Sequence, residues 1–431
     1  MNKAVHPVAK LSGNIVPPPD KSISHRSAMF AAISSEKSFI QNYSSAADPQ
    51  STLKCLRQLG VEIHQKGTTV KVSGVGRDGF QDPDEPLDCG NSGTTMRLLS
   101  GIVAGAGVEC TMIGDESLSA RTMKRVIDPL QKMGCKIDGR EGVYAPLEIY
   151  SHDGVKGMRY PLPIASAQLK SCVLLAGLFG DEPTEVIEDV MSRDHTERLL
   201  QLESEAYGSG KTIRSSRDHL IPPQNYSVPG DFSAAAFWLV AGCIHENAEI
   251  HLNGTGVNPS RDAVYHILEE MGASFKKTNN RLAGKEPVSD LFVESSDLQP
   301  IKLDPALIPN CIDELPILMV AMCFADGKSV ITGAEELRHK ETDRLSAMAE
   351  ILNLAGADVE LQDDGIIING KKDFIPTAAT FPTYHDHRMA MAAAVLATKA
   401  TDISAITHAD CTAISYPNFW KDLQTLSDSA I

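Results

Sequence analysis

Six stretches of the chain are apolar on nearly every face, rich in alanine, leucine and methionine, and each opens beside a serine, asparagine or aspartate. They are "SHRSAMFAAIS" from Ser24, "NSGTTMRLLSGIVAG" from Asn91, "SAQLKSCVLLAGLFG" from Ser166, "DFSAAAFWLVAG" from Asp231, "DELPILMVAMCFADG" from Asp313 and "DHRMAMAAAVLATKA" from Asp386. Small polar residues at that position are helix N-cap signals, so each stretch predicts a helix. Their starts lie 67, 75, 65, 82 and 73 residues apart, the mark of an internal repeat.

Each opener is followed, after a strand-like run, by a second segment with one charged face: "DPQSTLKCLRQLG", "RTMKRVIDPLQKMG", "DHTERLLQLESEAYG", "SRDAVYHILEEMG", "KETDRLSAMAEILNLAG" and "YPNFWKDLQTLSD". The first five end at Gly60, Gly134, Gly208, Gly272 and Gly356, as helix C-termini prefer. Short β-branched runs such as "VEIH", "TTVKVSG", "ADVELQ" and "IIING" follow several of them. The repeating unit reads as β-α-β-α-β-β. The openers lack a polar face and belong inside, while the second helices lie outward.

Proline-rich breaks at Pro17 to Pro19 and from Pro222 to Pro229 divide the repeats three and three. The pattern therefore predicts an α/β (α+β) fold of two domains: residues 17–228 with repeats one to three, and residues 1–16 plus 229–431 with repeats four to six. The crossovers fall near 17–20 and 222–230.

Composition narrows the partners. With 40 Lys+Arg against 56 Asp+Glu the formal charge is −16, which disfavours nonspecific binding to nucleic acid or to an anionic membrane. Any anion site must be local. Nine scattered cysteines without a C-x-x-C pair point to reduced thiols in the cytoplasm and away from structural zinc. The longest apolar run, "AAAFWLVAGCI", is well short of the about 20 residues that span a bilayer.

Candidate chemistry gathers where the openers begin, because a helix N-terminus offers free N–H groups and a positive dipole end to anions. There lie Lys21, Ser22, Arg26, Gly93, Ser166, Gln168, Asp313 and Arg388, and the loops before the second helices add Arg121, Arg193, Lys340, Glu341 and Arg344. In "PPDKSISHRS", Lys21 and Arg26 can converge on one anion, with Ser22 or Ser24 as a plain N-cap on the other reading. Arg121 in "GDESLSARTMKR" opposes the helix dipole and wants an anion, either a ligand or Asp115 or Glu116. Lys340 and Arg344, four apart, repel unless they share an anion. Asp313 is either an N-cap or a general base. His385 and His387 lack a third ligand by spacing, and Arg388 beside them disfavours a metal ion.

Taken in order, "PPDKSISHRS", "GNSGTTMRLL", "GDESLSARTM", "SAQLKS", "SRDHTE", "IDELPIL", "LRHKETDRL" and "DHRMAM" make the chain similar to the 5-enolpyruvylshikimate-3-phosphate (EPSP) synthase family almost end to end. The resemblance implies two domains of three β-α-β-α-β-β units about a pseudo-threefold axis, with the active site in the cleft between them. It implies transfer of the enolpyruvyl group of phosphoenolpyruvate to the 5-hydroxyl of shikimate 3-phosphate, with release of phosphate and with no metal or organic cofactor. A cytoplasmic monomer acting on these two small molecules is expected.

By matching positions, the resemblance assigns Lys21, Ser22, Arg26, Ser166, Ala167, Gln168, Arg193, Asp313 and Lys340 to shikimate 3-phosphate. Lys21, Gly93, Arg121, Gln168, Arg344 and Arg388 go to phosphoenolpyruvate. It makes Asp313, Glu341 and Lys21 the proton-transfer groups. One position departs from the pattern: "CTAISYP" has Ile414 where some members carry a lysine. Two rivals are weighed. UDP-N-acetylglucosamine enolpyruvyl transferase places a reactive cysteine ahead of its arginine, where this chain has "GDESLSA". A noncatalytic phosphate- or sugar-binding protein needs no carboxylates such as Asp313 and Glu341.

Overall fold

The computed structural model describes residues 1–427, so the last four of the expected second domain lie outside the described residues. The six apolar runs fold as helices Lys21–Ile33, Gly93–Ala106, Ala167–Gly177, Phe232–Ile244, Leu315–Cys323 and His387–Ala397. Phe232–Ile244 and Leu315–Cys323 are buried along their whole length, as segments without a polar face must be. Among the described residues, no single helix is long and apolar enough to cross a membrane.

Three starts are corrected. The first helix begins at Lys21 rather than Ser24, because Asp20, just past the proline run, accepts the Ile23 amide at 2.8 Å. Ser92, not Asn91, caps the second by accepting the Thr95 amide at 3.0 Å. The fifth begins at Leu315 with Pro316 in its first turn and no side-chain cap, so Asp313 is not an N-cap. Ser166, Asp231 and Asp386 do cap their helices.

One second-row helix is shorter than the pattern suggests. His195–Leu200 is helical, but Glu203–Tyr207 is a strand paired antiparallel with Gly210–Ser215, and Gly208 sits at φ +59° in the turn joining them. Its five residues are all exposed, so no apolar alternation marks it as a strand.

The described residues divide into two units, Pro19–Val228 with Ala283–Glu286, and Met1–Pro18 with Pro229–Leu282 and the described residues from Pro287 onward. In the first, three four-stranded sheets share one order: an outer strand, the strand after the core helix, then the hairpin. The third sheet shows the rule. Arg159–Pro161 lies parallel to Thr184–Glu188, which pairs antiparallel with Gly210–Ser215. The second unit has a four-stranded sheet and two three-stranded ones.

Two outer strands depart from sequence order. Leu11–Ile15 precedes the first core helix yet pairs with Ala248–Gly256, and Tyr226–Ser227 precedes the fourth yet pairs with Lys37–Gln41. The N-terminal strand Lys3–Val5 also fills the last sheet beside Ser404–Ile406, where the sixth repeat lacks a hairpin of its own. Helices Gly93–Ala106 and Ala167–Gly177 are in close contact at Gly101, where a Cβ would lie 2.4 Å from the carbonyl oxygen of Cys172. Only glycine fits there.

Candidate active site

In the unit containing Pro19–Val228, three core-helix N-termini carry the polar residues. Lys21, the first residue of its helix, places Nζ 3.0 Å from Oδ2 of Asp48, which opens the neighbouring helix Ala47–Gln58. Arg26 is buried and fully engaged: Nε donates to Thr196 Oγ1 at 2.8 Å, Nη1 to the Ser22 carbonyl at 3.1 Å and Nη2 to Ser171 Oγ at 3.1 Å. A guanidinium held at every nitrogen is a fixed charge.

His25 is buried between them and starts a chain of hydroxyls. Its Nδ1 lies 2.6 Å from Thr52 Oγ1, which lies 2.8 Å from Thr95 Oγ1, which donates to Ser92 Oγ at 2.8 Å. Burial, then the nearby Lys21 and Arg26, hold the imidazole well below its ordinary pKa, so it stays neutral. The first helix is thus tied to the N-cap of the second.

Gly93 begins the second helix, and two arginines flank it. Arg97 Nη1 donates to Gln168 Oε1 at 2.8 Å and Nη2 to the Thr122 carbonyl at 3.3 Å. Gln168 in turn donates to Thr94 Oγ1 at 3.1 Å. Arg121 Nη2 donates to Asn91 Oδ1 at 2.9 Å and Ser117 Oγ at 3.1 Å, while Asn91 donates to Asp115 Oδ2 at 2.8 Å. Asp115 therefore reaches Arg121 through Asn91. Gly93, Arg97, Arg121 and Gln168 form one cradle around a helix N-terminus. Ser166 caps the third helix through the Leu169 amide at 3.3 Å, leaving Ala167 as its first residue. Arg193 is half-buried in the connection between Thr184–Glu188 and His195–Leu200.

In the other unit, the buried Arg344 is a hub. Nε donates to Asp386 Oδ2 at 2.8 Å, Nη2 to Asp386 Oδ1 at 3.3 Å and to Glu341 Oε2, and Nη1 to Asp313 Oδ1 at 3.4 Å. Burial alone would ease its proton off, but Asp386, Glu341 and Asp313 hold it charged. Arg388 lies 3.8 Å from Asp313 Oδ2 and 4.0 Å from Glu314 Oε1. Lys340 pairs with Glu336 at 3.7 Å, and burial, aided by Arg344, lowers its pKa against the pull of Asp313 and Glu336. Asp313, Lys340, Glu341, Arg344 and Arg388 thus come together, carboxylates interleaved with cations.

Sequence reasoning missed Asp48, Arg97 and the structural part of His25. Asp48 alone left a signal, as an acidic residue in a helix's first turn. His385 lies against His408, ring centroids 3.9 Å apart and the planes tilted by 32°, and His387 is buried; among the described residues, no group of three or more His, Cys, Asp or Glu side chains is placed to hold a metal ion. Ile414 ends the turn Ala409–Ile414.

These elements build the fold of an enolpyruvyl transferase: the enolpyruvyl transferase NikO from Streptomyces tendae matches with a TM-score of 0.75 over 98% of this chain and 96% of its own, at 16% identity, a likeness of fold alone. The finer match is to one branch of that class. The pattern of EPSP synthase (3-phosphoshikimate 1-carboxyvinyltransferase) covers residues 5–423, and the chain belongs to this family. A 3-phosphoshikimate 1-carboxyvinyltransferase of Salinibacter ruber is 48% identical over 432 residues, spanning 100% of both chains. One from Geobacillus kaustophilus is 44% identical over 421 residues, covering 97% of this chain and 98% of its own. The EPSP synthase structure from Acinetobacter baumannii has a TM-score of 0.86 at 37% identity, over 99% of this chain and 98% of that one.

Proposed function

We propose that this chain transfers the enolpyruvyl group of phosphoenolpyruvate to the 5-hydroxyl of shikimate 3-phosphate. The observation that carries the reading is the cluster of Asp313, Glu341, Arg344 and Arg388, with Lys340 beside it, in a chain of the EPSP synthase family. A binding protein for anions needs the cations alone. Carboxylates set among them supply proton acceptors where anionic substrates are held.

In the addition step the 5-hydroxyl oxygen bonds to C2 of phosphoenolpyruvate, its proton passes to Asp313, and the C3 methylene takes a proton from Glu341 or Lys21. The tetrahedral adduct then collapses: C3 returns a proton, the C2–O bond to phosphate breaks, and the enol ether remains. Lys21, Ser22, Arg26, Ser166, the Ala167 amide, Gln168 and Arg193 hold shikimate 3-phosphate, with Asp313 and Lys340 on its hydroxyls. Lys21, the Gly93 amide, Arg121, Gln168, Arg344 and Arg388 hold phosphoenolpyruvate. Fixed cations oriented before reaction stabilise charge that develops on the adduct and leaving group.

We further read the protein as a cytoplasmic monomer. Nine buried, unbridged cysteines support a reducing compartment. The test of function is a phosphate-release assay with each substrate omitted in turn. Release must require both, and Asp313→Ala and Arg121→Ala must each slow it; release unchanged in these variants sinks the assignment.

A further inference from the structure

The third core helix carries a lysine that none of these roles uses. Lys170 follows Ser166 by one turn and is 0% exposed. Its ammonium has three acceptors: Glu188 Oε2 at 2.6 Å, Glu197 Oε1 at 2.8 Å and the Ser192 carbonyl at 3.3 Å. The two carboxylates come from either side of a single connection. Glu188 ends the strand Thr184–Glu188, and Glu197 lies in the helix His195–Leu200. Lys211 Nζ, 2.9 Å from Glu197 Oε1, completes two cations against two carboxylates.

The connection is gripped at one residue. Glu188 Oε1 accepts the Ser192 amide while Lys170 takes the Ser192 carbonyl, so both backbone polar groups of Ser192 are fixed. Ser192 is 2% exposed, whereas Val190 and Met191 just before it are 45% and 51% exposed. Arg193 comes next. Ser171, the neighbour of Lys170, adds a parallel tie: its hydroxyl lies 2.7 Å from Thr196 Oγ1, and both hydroxyls accept from Arg26.

A buried ion-pair cluster is a poor source of stability, since well-packed apolar side chains often do as well. What charge adds here is direction: an ammonium can hold two carboxylates and a carbonyl at once, and an aliphatic side chain can hold none. We propose that Lys170 is a positioning residue for shikimate 3-phosphate, fixing Ser192 through Glu188 and Glu197 and so setting where Arg193 presents its guanidinium to the substrate phosphate. This rests on the reading of Arg193 as a phosphate ligand.

The test is a double-mutant cycle on the full chain with Lys170→Met, Arg193→Ala and the pair, varying each substrate at saturating levels of the other. Lys170→Met should raise KM for shikimate 3-phosphate on the order of 10- to 100-fold, the cost of misplacing a binding group. That rise should exceed any change in KM for phosphoenolpyruvate or in kcat. The pair should be no worse than Arg193→Ala alone by more than about twofold, because coupled residues are not additive. Multiplying effects, or equal rises in both KM values, overturn the inference while leaving Arg193 a ligand. An Arg193→Ala that leaves KM for shikimate 3-phosphate unchanged overturns both. Should Lys170→Met fail to fold, Glu188→Gln carries the same cycle, since it keeps the side-chain shape and the Lys170–Glu197 pair.

Discussion

Gly93→Ala adds one methyl group where the helix N-terminus meets two arginines. A Cβ built on Gly93 lies 2.9 Å from Arg97 Nη1 and 3.6 Å from Arg121 Nη1. The first distance is well inside van der Waals contact, and a guanidinium must give by roughly 0.5 Å to reach ordinary separation. Arg97 is poorly placed to give, because Gln168 and the Thr122 carbonyl hold both its terminal nitrogens. Arg121 already fills the other side. The methyl therefore displaces the cradle assigned to phosphoenolpyruvate and covers the Gly93 amide. A single misfitted methyl is worth about 1–3 kcal/mol, so KM for phosphoenolpyruvate should rise roughly 10- to 100-fold. KM for shikimate 3-phosphate should move much less, and Tm should hold within about 2 °C because alanine suits a helix. Phosphate release with phosphoenolpyruvate varied at saturating shikimate 3-phosphate measures the effect. A KM for phosphoenolpyruvate within twofold of the parent refutes the reasoning, and an equal rise for both substrates places the damage in the whole unit instead of one subsite.

Gly101→Ala should destabilise by about 1–3 kcal/mol or more, since its Cβ meets the Cys172 carbonyl and backbone cannot swing aside; urea unfolding reads this out. Arg344→Met strands the carboxylates of Asp386, Glu341 and Asp313 and should cost about 3–5 kcal/mol in the same assay. Arg388→Lys should leave unfolding nearly unchanged and raise KM for phosphoenolpyruvate tenfold or more, the loss of about 1.5–3 kcal/mol of charge-assisted hydrogen bonding. His245 is buried with Nε2 2.9 Å from Thr398 Oγ1, and burial, then Lys399, push its pKa down to about 3. Its proton binds the unfolded chain more readily, so its contribution is whole above pH 6.5 and is lost as pH falls toward 3. At pH 5 the loss is about 2 kcal/mol, and His245→Gln should flatten the pH dependence of unfolding between pH 6.5 and 4. Parallel profiles for parent and variant contradict the assignment.

The core helices were legible because apolarity all round leaves only burial, and their caps are local: Ser166, Asp231 and Asp386 bond amides within three residues. Where the reading slipped, a neighbour supplied a competing cap, as Asp20 did for Ser24 and Ser92 for Asn91. Glu203–Tyr207 was unreadable as a strand because it buries no side chain, and its partner, not its composition, makes it one. Lys21, Arg26, Arg121, Arg344 and Arg388 stood out in the sequence by their places at or just before helix starts, and Arg97 did not. The partners of these cations were not legible. Asp48 lies 27 residues from Lys21, and Gln168 lies 71 from Arg97, so these pairs exist only once the helices pack side by side.

Those partners sort the cations by what each is free to do. Arg344 is bound in bidentate fashion to Asp386, with Nε at 2.8 Å, and swinging away would strand a carboxylate that is 0% exposed, so phosphoenolpyruvate has to meet this guanidinium where it stands. It acts as a fixed charge and as the post against which Asp313 and Glu341 are oriented. Arg388 instead faces Asp313 at 3.8 Å and Glu314 at 4.0 Å, beyond hydrogen-bond reach, so an arriving carboxylate or phosphate displaces no hydrogen bond between them. Arg26 resembles Arg344 in being held at every nitrogen, but its hydrogen-bond acceptors here are two hydroxyls and a backbone carbonyl. A chain of formal charge −16 that must hold two anionic substrates meets two demands. Its cations need anchoring before substrate arrives, and some must be able to let go. Anchoring Arg344 by carboxylates and Arg26 by hydroxyls, while leaving Arg388 loosely faced, satisfies both.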